Sequence, residues 1–213
     1  MAFNFGNLSS DAGDFIPIIK FDCRSGRMTR RDRIDGEYES EDITSGFKAI
    51  FDFENAEVGY INFDTGGAPD FHVVRHDERY PDQPSDKHRQ GIRLLVKLGK
   101  DQGGDLRELA STAKAFLRGI NDVHTAYEKG VAENPGKLPV VELAKTVAIS
   151  SGEGARKSTN YSPVFKIAGW VSRPADLVYK PRSKSVQNGS SSSTPPSTGS
   201  TKVSAPSSDD DFG

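Results

Sequence analysis

Apolar and polar residues alternate along much of the chain, and this period of two is typical of β-strands. In the clearest run, 92–98, every second residue is apolar, which predicts that Arg93 and Lys97 lie on the opposite, exposed face. Similar runs, separated by turn residues, predict further strands at 15–23, 27–33, 47–53, 58–63, 71–77, 139–149 and 161–172. The first two of these form a predicted hairpin with its turn at Ser25-Gly26.

A second hairpin is predicted around the four-residue loop 54–57, between the strands on either side of it. In that hairpin Phe53 pairs with Val58 and Phe51 with Tyr60, so that these side chains share one face of the sheet. Large apolar residues then occupy both faces, which a sheet exposed to water on one side does not require.

After residue 105 the apolar period lengthens to that of an α-helix. The residues at helical spacing are Leu106, Leu109, Ala110, Ala113, Phe116, Leu117 and Ile120. Asp105 is the expected N-cap, and Gly119 is expected to break or kink the helix before a second helical stretch at 121–132. Because a parallel βαβ fold needs a helix after most of its strands, one helical region among many strands indicates a mainly β fold.

The composition changes sharply near residue 183. Residues 183–208 are rich in Ser, Thr, Pro and Gly and cannot bury enough apolar surface to offset the entropy of ordering them, so they are a predicted disordered linker. The chain then ends in an acidic tip, 209–213, whose partner-binding residues are Asp209, Asp210, Asp211 and Phe212. The tip offers charge to a basic pocket and a ring to an apolar notch. It can recruit partner proteins, compete as an anion for the protein's own cationic groove, or act only as a solubilising tail.

A folded front region, a Gly/Ser/Pro-rich spacer and an acidic tip with a Phe resemble the layout of bacterial and bacteriophage single-stranded DNA-binding proteins. Here Gly213 follows Phe212, whereas members of that family typically end on the phenylalanine. The resemblance implies an OB-fold front domain that coats single-stranded DNA in replication, recombination and repair. It also implies that the tip recruits replication or recombination proteins.

The order of elements agrees with such a domain over 15–182, after a flexible N-terminal segment, 1–14. An OB-fold is a small, partly closed five-stranded barrel, and its helix lies between the third and fourth strands. Here about five strands precede the helical region and two follow it. The expected fold is therefore an OB-fold-like five-stranded barrel with extra hairpin strands and one helical region, followed by a disordered C-terminal tail.

Single-stranded DNA binding needs cations for phosphates and exposed rings for unstacked bases. The predicted DNA-binding residues combine both kinds of side chain: Lys20, Arg24, Arg27, Arg30, Arg31, Arg33, Lys48, Phe51, Phe53, Tyr60, Arg93, Lys97, Arg156, Lys157 and Trp170. Strand alternation places Arg27, Thr29, Arg31 and Arg33 on one side of their strand, where such a row can follow a phosphate backbone. For each ring, a place in the core is the competing interpretation.

The chain has 213 residues and a formal net charge of −2, so a basic surface must come from segregated charge. Cys23 is the only cysteine, which excludes an intrachain disulfide and indicates a reducing, cytoplasmic location. No apolar run approaches the ~20 residues needed to cross a bilayer, and neither a membrane partner nor a cofactor is expected. Association of protomers into a homo-oligomer is left open.

Two alternative functions remain. One is an OB-like protein-interaction or virion-associated module that does not bind DNA. The other is a metal-dependent nuclease that uses the acidic and histidine residues of 70–88. His72 and His76 suit a metal site on a helix, but on a strand, which Val73-Val74 favour, they lie ~13 Å apart. No nucleophile motif, P-loop or Cys-x-x-Cys pattern is present, so enzymatic activity is not expected.

Overall fold

The computed structural model describes residues 16–153 and 157–182. Strands make up 49% of the described residues and one α-helix accompanies them, so the predicted mainly β fold is confirmed. The strands are β1 (Ile18–Asp22), β2 (Arg27–Ile34), β3 (Glu37–Asp42), β4 (Lys48–Phe51), β5 (Glu57–Asn62), β6 (Asp70–Arg75), β7 (Arg89–Leu98), β8 (Leu106–Ser111), β9 (Lys137–Ser151) and β10 (Ser158–Ser172). The helix α1 is Lys114–Gly130, and short 3-10 turns occupy Phe53–Asn55, Lys100–Gln102 and Val131–Glu133. The predicted segment 1–14, linker 183–208 and tip 209–213 lie outside the described residues.

The described strands belong to one sheet that curls strongly into a half-barrel. Its order is β10-β9-β4-β7-β8-β1-β2-β3, and neighbours are antiparallel except β1 with β8, which are parallel. β5 lies beside the first half of β7 and pairs with β6 on its other side. The backbone N–H of Tyr161 in β10 donates to the carbonyl of Cys23 at 2.6 Å, so the curl brings distant parts of the sheet into contact.

The inner face of the curled sheet holds the main apolar core. Alternate residues of β7, from Ile92 to Leu98, contribute to it together with residues of β1, β2, β4, β8, β9 and β10. The helix α1 packs on this core with Phe116, Ile120 and Val123, whose spacing puts them on one side of the helix. The predicted buried face of 92–98 is therefore confirmed.

The outer face of β7 is covered by the segment 173–182, here called the strap. Its first residue, Arg173, donates two hydrogen bonds of 2.8 Å to the carboxylate of Asp52. Leu177 is then buried against leucines of β7 and β9. Because both faces are covered, β7 is buried along most of its length.

Beneath the strap lies a buried ion cluster centred on Arg93. Its guanidinium contacts the carboxylates of Glu57 and Glu108, the latter at 2.7 Å, and only 3% of Arg93 is exposed. From the strap, Tyr179 donates to Glu57 and Arg182 to Glu108, both at 3.0 Å. The prediction that Arg93 is exposed and contacts DNA is therefore wrong, since the strap is a second cover that strand alternation cannot reveal.

The helical region begins later than predicted. Residues 106–111 form β8, between β7 and β1, and α1 begins at Lys114. Both faces of β8 are packed, the inner one with Leu109 in the main core and the outer one with Glu108 in the ion cluster. Burial on both faces removes the alternation that marks a strand, so the apolar residues there have the spacing of a helix. Asp105 consequently precedes a strand and is not an N-cap.

Gly119 does not break α1, which continues to Gly130. The glycine lies where the helix meets β10, and a Cβ added to it would lie 2.4 Å from the carbonyl oxygen of Pro163. Nearby, the hydroxyl of Ser162 donates to the carbonyl of Ala115 at 2.8 Å. The missing side chain therefore allows the helix backbone to lie directly on β10.

The predicted hairpin around 54–57 is wrong. β4 pairs with β7 and β9, whereas β5 pairs with β6 and with the first half of β7. β7 has 10 residues, so β4 and β5 follow each other along the same edge of it and do not pair with each other. Phe51 and Phe53 consequently point into the main core. β3, an exposed edge strand, lies outside the predicted strands because it has no apolar face.

Replacement of Gly119 by alanine tests the packing of α1 on β10. On an exposed helix this change stabilises by up to about 1 kcal/mol, but here the methyl group meets the backbone of Pro163. We expect Gly119→Ala to lower the free energy of unfolding by about 1–3 kcal/mol in chemical denaturation. The matched control is Gly67→Ala, because a Cβ at Gly67 meets nothing within 4 Å. Unchanged or increased stability of Gly119→Ala would contradict the close approach.

The strap also makes the free energy of unfolding depend on pH in the alkaline range. Burial, with the carboxylate of Glu57 beside the hydroxyl, raises the pKa of Tyr179 from 10.0 to about 12. The unfolded chain ionises at the lower value, so the contribution of Tyr179 is complete below pH 10 and is lost as the pH rises from 10 to 12. We expect the wild type to lose more unfolding free energy over this interval than Tyr179→Phe, which has no group to ionise there. Equal losses in denaturation series across these pH values would show that Tyr179 titrates normally.

Candidate nucleic-acid interface

Four of the predicted DNA-binding cations lie on the outer face of the hairpin β1–β2. In β2, Arg27, Arg31 and Arg33 occupy alternate positions, as predicted, and the register with β1 puts Lys20 on the same side. The neighbouring strand β3 adds Tyr38, which lies directly opposite Arg33. These five residues are here called the basic face.

Tyr38 supplies an exposed ring to the basic face. The guanidinium of Arg31 lies 4.3 Å from the ring centroid and that of Arg33 lies 6.0 Å from it. Because 53% of the residue is exposed, the ring is accessible between two cations. Tyr38 is not among the predicted DNA-binding residues, because it lies in an acidic segment with no apolar alternation to indicate a strand.

The cations of the basic face differ in their partners. Arg27 forms an ion pair of 2.8 Å with Asp42, and Arg33 donates to a backbone carbonyl. In the part of the chain that the structure describes, no carboxylate lies within ion-pair distance of Lys20, Arg31 or Arg33. These three side chains can bind phosphate without first breaking an ion pair.

Arg30 points to the opposite face of β2. It forms ion pairs with Glu41 at 2.8 Å and Asp32 at 3.2 Å, and it donates to the carbonyl of Gln102 at 3.0 Å. Asp32 in turn contacts the buried Arg107 of β8 at 2.6 Å. This ion network joins β2, β3 and β8, so Arg30 has a structural role, and its place among the DNA-binding residues stays a prediction.

Two of the predicted stacking rings are unavailable to a base. Phe51 and Phe53 are both 0% exposed and lie in the main core, so their prediction as DNA-binding residues is wrong. Tyr60 and Trp170 are half-buried. The ring of Tyr60 lies edge-on to that of Tyr80 at 5.6 Å, and the ring of Trp170 stacks on a tyrosine of α1 at 5.7 Å. Each of these two rings is therefore partly covered by another aromatic ring.

The remaining predicted cations are not part of the basic face as defined here. Lys48 and Lys97 each contact a carboxylate, in β9 and in the strap respectively. Arg24 is exposed in the turn between β1 and β2, and Lys157 is exposed just before β10. Arg156 lies outside the described residues.

The chain matches no protein-family model, no curated protein and no solved structure. α1, the α-helix of the described residues, is not long and apolar enough to cross a bilayer. The chemistry of the surfaces is therefore the basis for inferring a function.

The histidines that suggested a metal site do not form a group that could bind a metal ion in the described structure. Among the residues described, no group of three His, Cys, Asp or Glu side chains could hold an ion. His72 lies in β6, as its flanking valines predict, and His76 follows that strand. The ring nitrogens of the buried His88 lie 2.8 Å from the Ser85 hydroxyl and 3.1 Å from the Asp70 carboxylate. His88 therefore fixes the loop before β7 against β6.

The two neighbouring arginines of β2 should respond differently to truncation. We expect Arg30→Ala to lower the free energy of unfolding by about 1–2 kcal/mol, because Asp32, Glu41 and a backbone carbonyl each lose a charged partner. Arg31→Ala is the matched control and should stay within about 0.5 kcal/mol of the wild type, because its side chain is exposed. Urea denaturation measures both, and equal effects would contradict this division between structural and available arginines.

Proposed function

We propose that this protein binds single-stranded DNA without sequence preference and that the basic face holds the phosphate backbone. The observation that carries the proposal is the row of exposed cations around the accessible ring of Tyr38. Cations attract any phosphate, and an exposed ring stacks on any unstacked base. Neither contact therefore depends on the base sequence of the DNA.

The spacing of the basic face suits an extended strand. Alternate residues of a β-strand lie about 6.8 Å apart, so Arg31 and Arg33 offer two cations in line along β2. The ring of Tyr38 lies 4.3 Å and 6.0 Å from their guanidinium groups, where it can contact a base or sugar. A duplex keeps its bases stacked internally and offers no base face to this ring, so the ring favours single strands.

The fold is compatible with this function. The strongly curled sheet, with one helix between β8 and β9, is compatible with an OB-fold-like barrel. In such a barrel the additional strands would extend the hairpins of the five-stranded core. OB-fold domains commonly bind single strands in a cationic groove.

We further propose that the acidic tip, 209–213, recruits replication or recombination proteins. Its three aspartates and Phe212 combine charge with one apolar ring, which suits a basic pocket beside an apolar notch. The last described residue, Arg182, donates to the carboxylate of Glu108 at 3.0 Å and so anchors the C-terminal end of the strap. DNA binding and partner recruitment are thus assigned to different parts of the chain.

A fluorescence titration with poly-dT at several salt concentrations tests the DNA-binding function. We expect binding that weakens as salt increases, with each phosphate contact adding about 0.7 to the slope of log affinity against log salt. The Arg31→Ala/Arg33→Ala variant should bind more weakly at low salt and show a slope smaller by about 1.4, because two contacts are lost.

The matched control is Lys129→Ala/Lys137→Ala, which removes two exposed cations away from the basic face and changes the net charge equally. Its slope should equal that of the wild type. Deletion of 209–213 should leave the affinity for poly-dT intact or improved, since the tip carries negative charge. A wild-type protein that leaves poly-dT unbound at low salt overturns the proposal and favours a domain that binds protein.

A further inference from the structure

A cavity of about 340 Å³ opens between β5, β7 and α1. Its apolar floor consists of Ala56, Val58, Ile92, Leu117 and Ile120. Pockets for small ligands usually measure about 300–1,000 Å³, so this one has room for a single ring system and not for a folded chain segment. It is here called the Tyr80 groove, after the aromatic residue at its edge.

Tyr80 is an exposed ring held in one orientation. Its hydroxyl donates to the backbone carbonyl of Gly59 at 2.8 Å, and its ring meets that of Tyr60 at 5.6 Å and 74°. A Cβ added to Gly59 would lie 2.3 Å from the carbonyl oxygen of His72, so the acceptor strand is itself closely packed. Even so, 42% of Tyr80 is exposed. A fixed, exposed ring loses little conformational entropy when a flat ligand stacks on it.

Two side-chain amides line the groove. Gln90 comes from β7 and Asn121 from α1, and both are exposed. Within the described part of the chain, neither amide has a hydrogen-bond partner. An amide carries both a donor and an acceptor, which matches the mixed donor and acceptor edge of a nucleobase.

The lining of the Tyr80 groove contains no carboxylate. Its two histidines, His76 and His124, lie with ring centroids 5.8 Å apart, and burial lowers the pKa of His124, which favours a neutral ring. With two amides and no lysine, arginine or carboxylate in its lining, the groove favours a neutral planar ligand over an isolated phosphate.

We propose that the Tyr80 groove binds one unstacked nucleobase, with the base ring on Tyr80 and its polar edge toward Gln90 and Asn121. This inference rests on the proposed function and adds a base-binding site to it. The floor of the groove belongs to the inner side of the sheet, whereas the basic face lies on the outer side. A strand that occupies both must therefore wrap around the sheet.

Substitution of Tyr80 provides the test, with a dT oligomer as the probe. Tyr80→Leu keeps an apolar side chain and removes the ring, and the affinity should fall about tenfold, because one base loses its stacking partner. The slope against salt should not change, since no phosphate contact is removed. Phe63→Leu is the matched control: Phe63 is an exposed ring outside the groove, and its loss should leave the affinity unchanged.

A second variant and a second probe exclude an effect through folding. Asn121 is exposed on α1, so Asn121→Ala should fold normally and still weaken dT binding about threefold through the lost amide. An abasic oligomer of the same length keeps every phosphate but has no base. Wild type, Tyr80→Leu and Asn121→Ala should all bind it equally.

Each outcome decides between the groove and the wider function. If the wild type and both variants bind the dT oligomer equally, the groove proposal fails while DNA binding stands. If the variants also bind the abasic oligomer more weakly than the wild type, the groove proposal fails again, because the loss does not act through a base. If the wild type binds neither oligomer, both proposals fall.

Discussion

Burial of both faces of β7 is the constraint on which the rest of the structure depends. A ten-residue strand at the centre of a curled sheet needs two covers. The apolar core and α1 cover the inner face, and the strap covers the outer face. Arg93 lies on that outer face and cannot stay buried without partners, since an unpaired buried cation is strongly destabilising. Glu57 and Glu108 neutralise it, and Tyr179 and Arg182 complete their hydrogen bonds. The strap is thereby part of the fold.

Six arginines in the described part of the chain divide into two groups by their contacts. Arg30, Arg93, Arg107 and Arg173 hold strands, loops and the strap together through carboxylates. Arg31 and Arg33 lack such partners in the described structure and flank an exposed ring. A near-neutral chain can therefore present a local basic surface, because many of its other cations are neutralised internally. The proposed DNA-binding function uses the cations that have no carboxylate partner.

The fold was predictable where the two faces of a strand differ in polarity and hidden where they do not. The hairpin β1–β2 and the strands β6, β7, β9 and β10 follow from alternation and turn residues. β8 has the spacing of a helix because both its faces are packed. The pairing of β4 with β5 fails for another reason: β7 is long enough to accept both strands along one edge, so the local loop does not decide the register. Gly119 is a comparable case, since its close approach to Pro163 depends on where the helix lies against β10.

The sequence by itself determined the mainly β class and the common side of Arg27, Arg31 and Arg33, because a period of two is a property of the extended backbone alone. It also determined the composition of the C-terminal tail and hence the resemblance that suggests a function. Only the tertiary structure decided that Phe51 and Phe53 are core residues, that Arg93 is covered, and that Tyr38 and Tyr80 are exposed. Those outcomes depend on which segments cover each face of the sheet. Such contacts join residues distant in sequence, so they produce no local periodicity from which burial could be predicted.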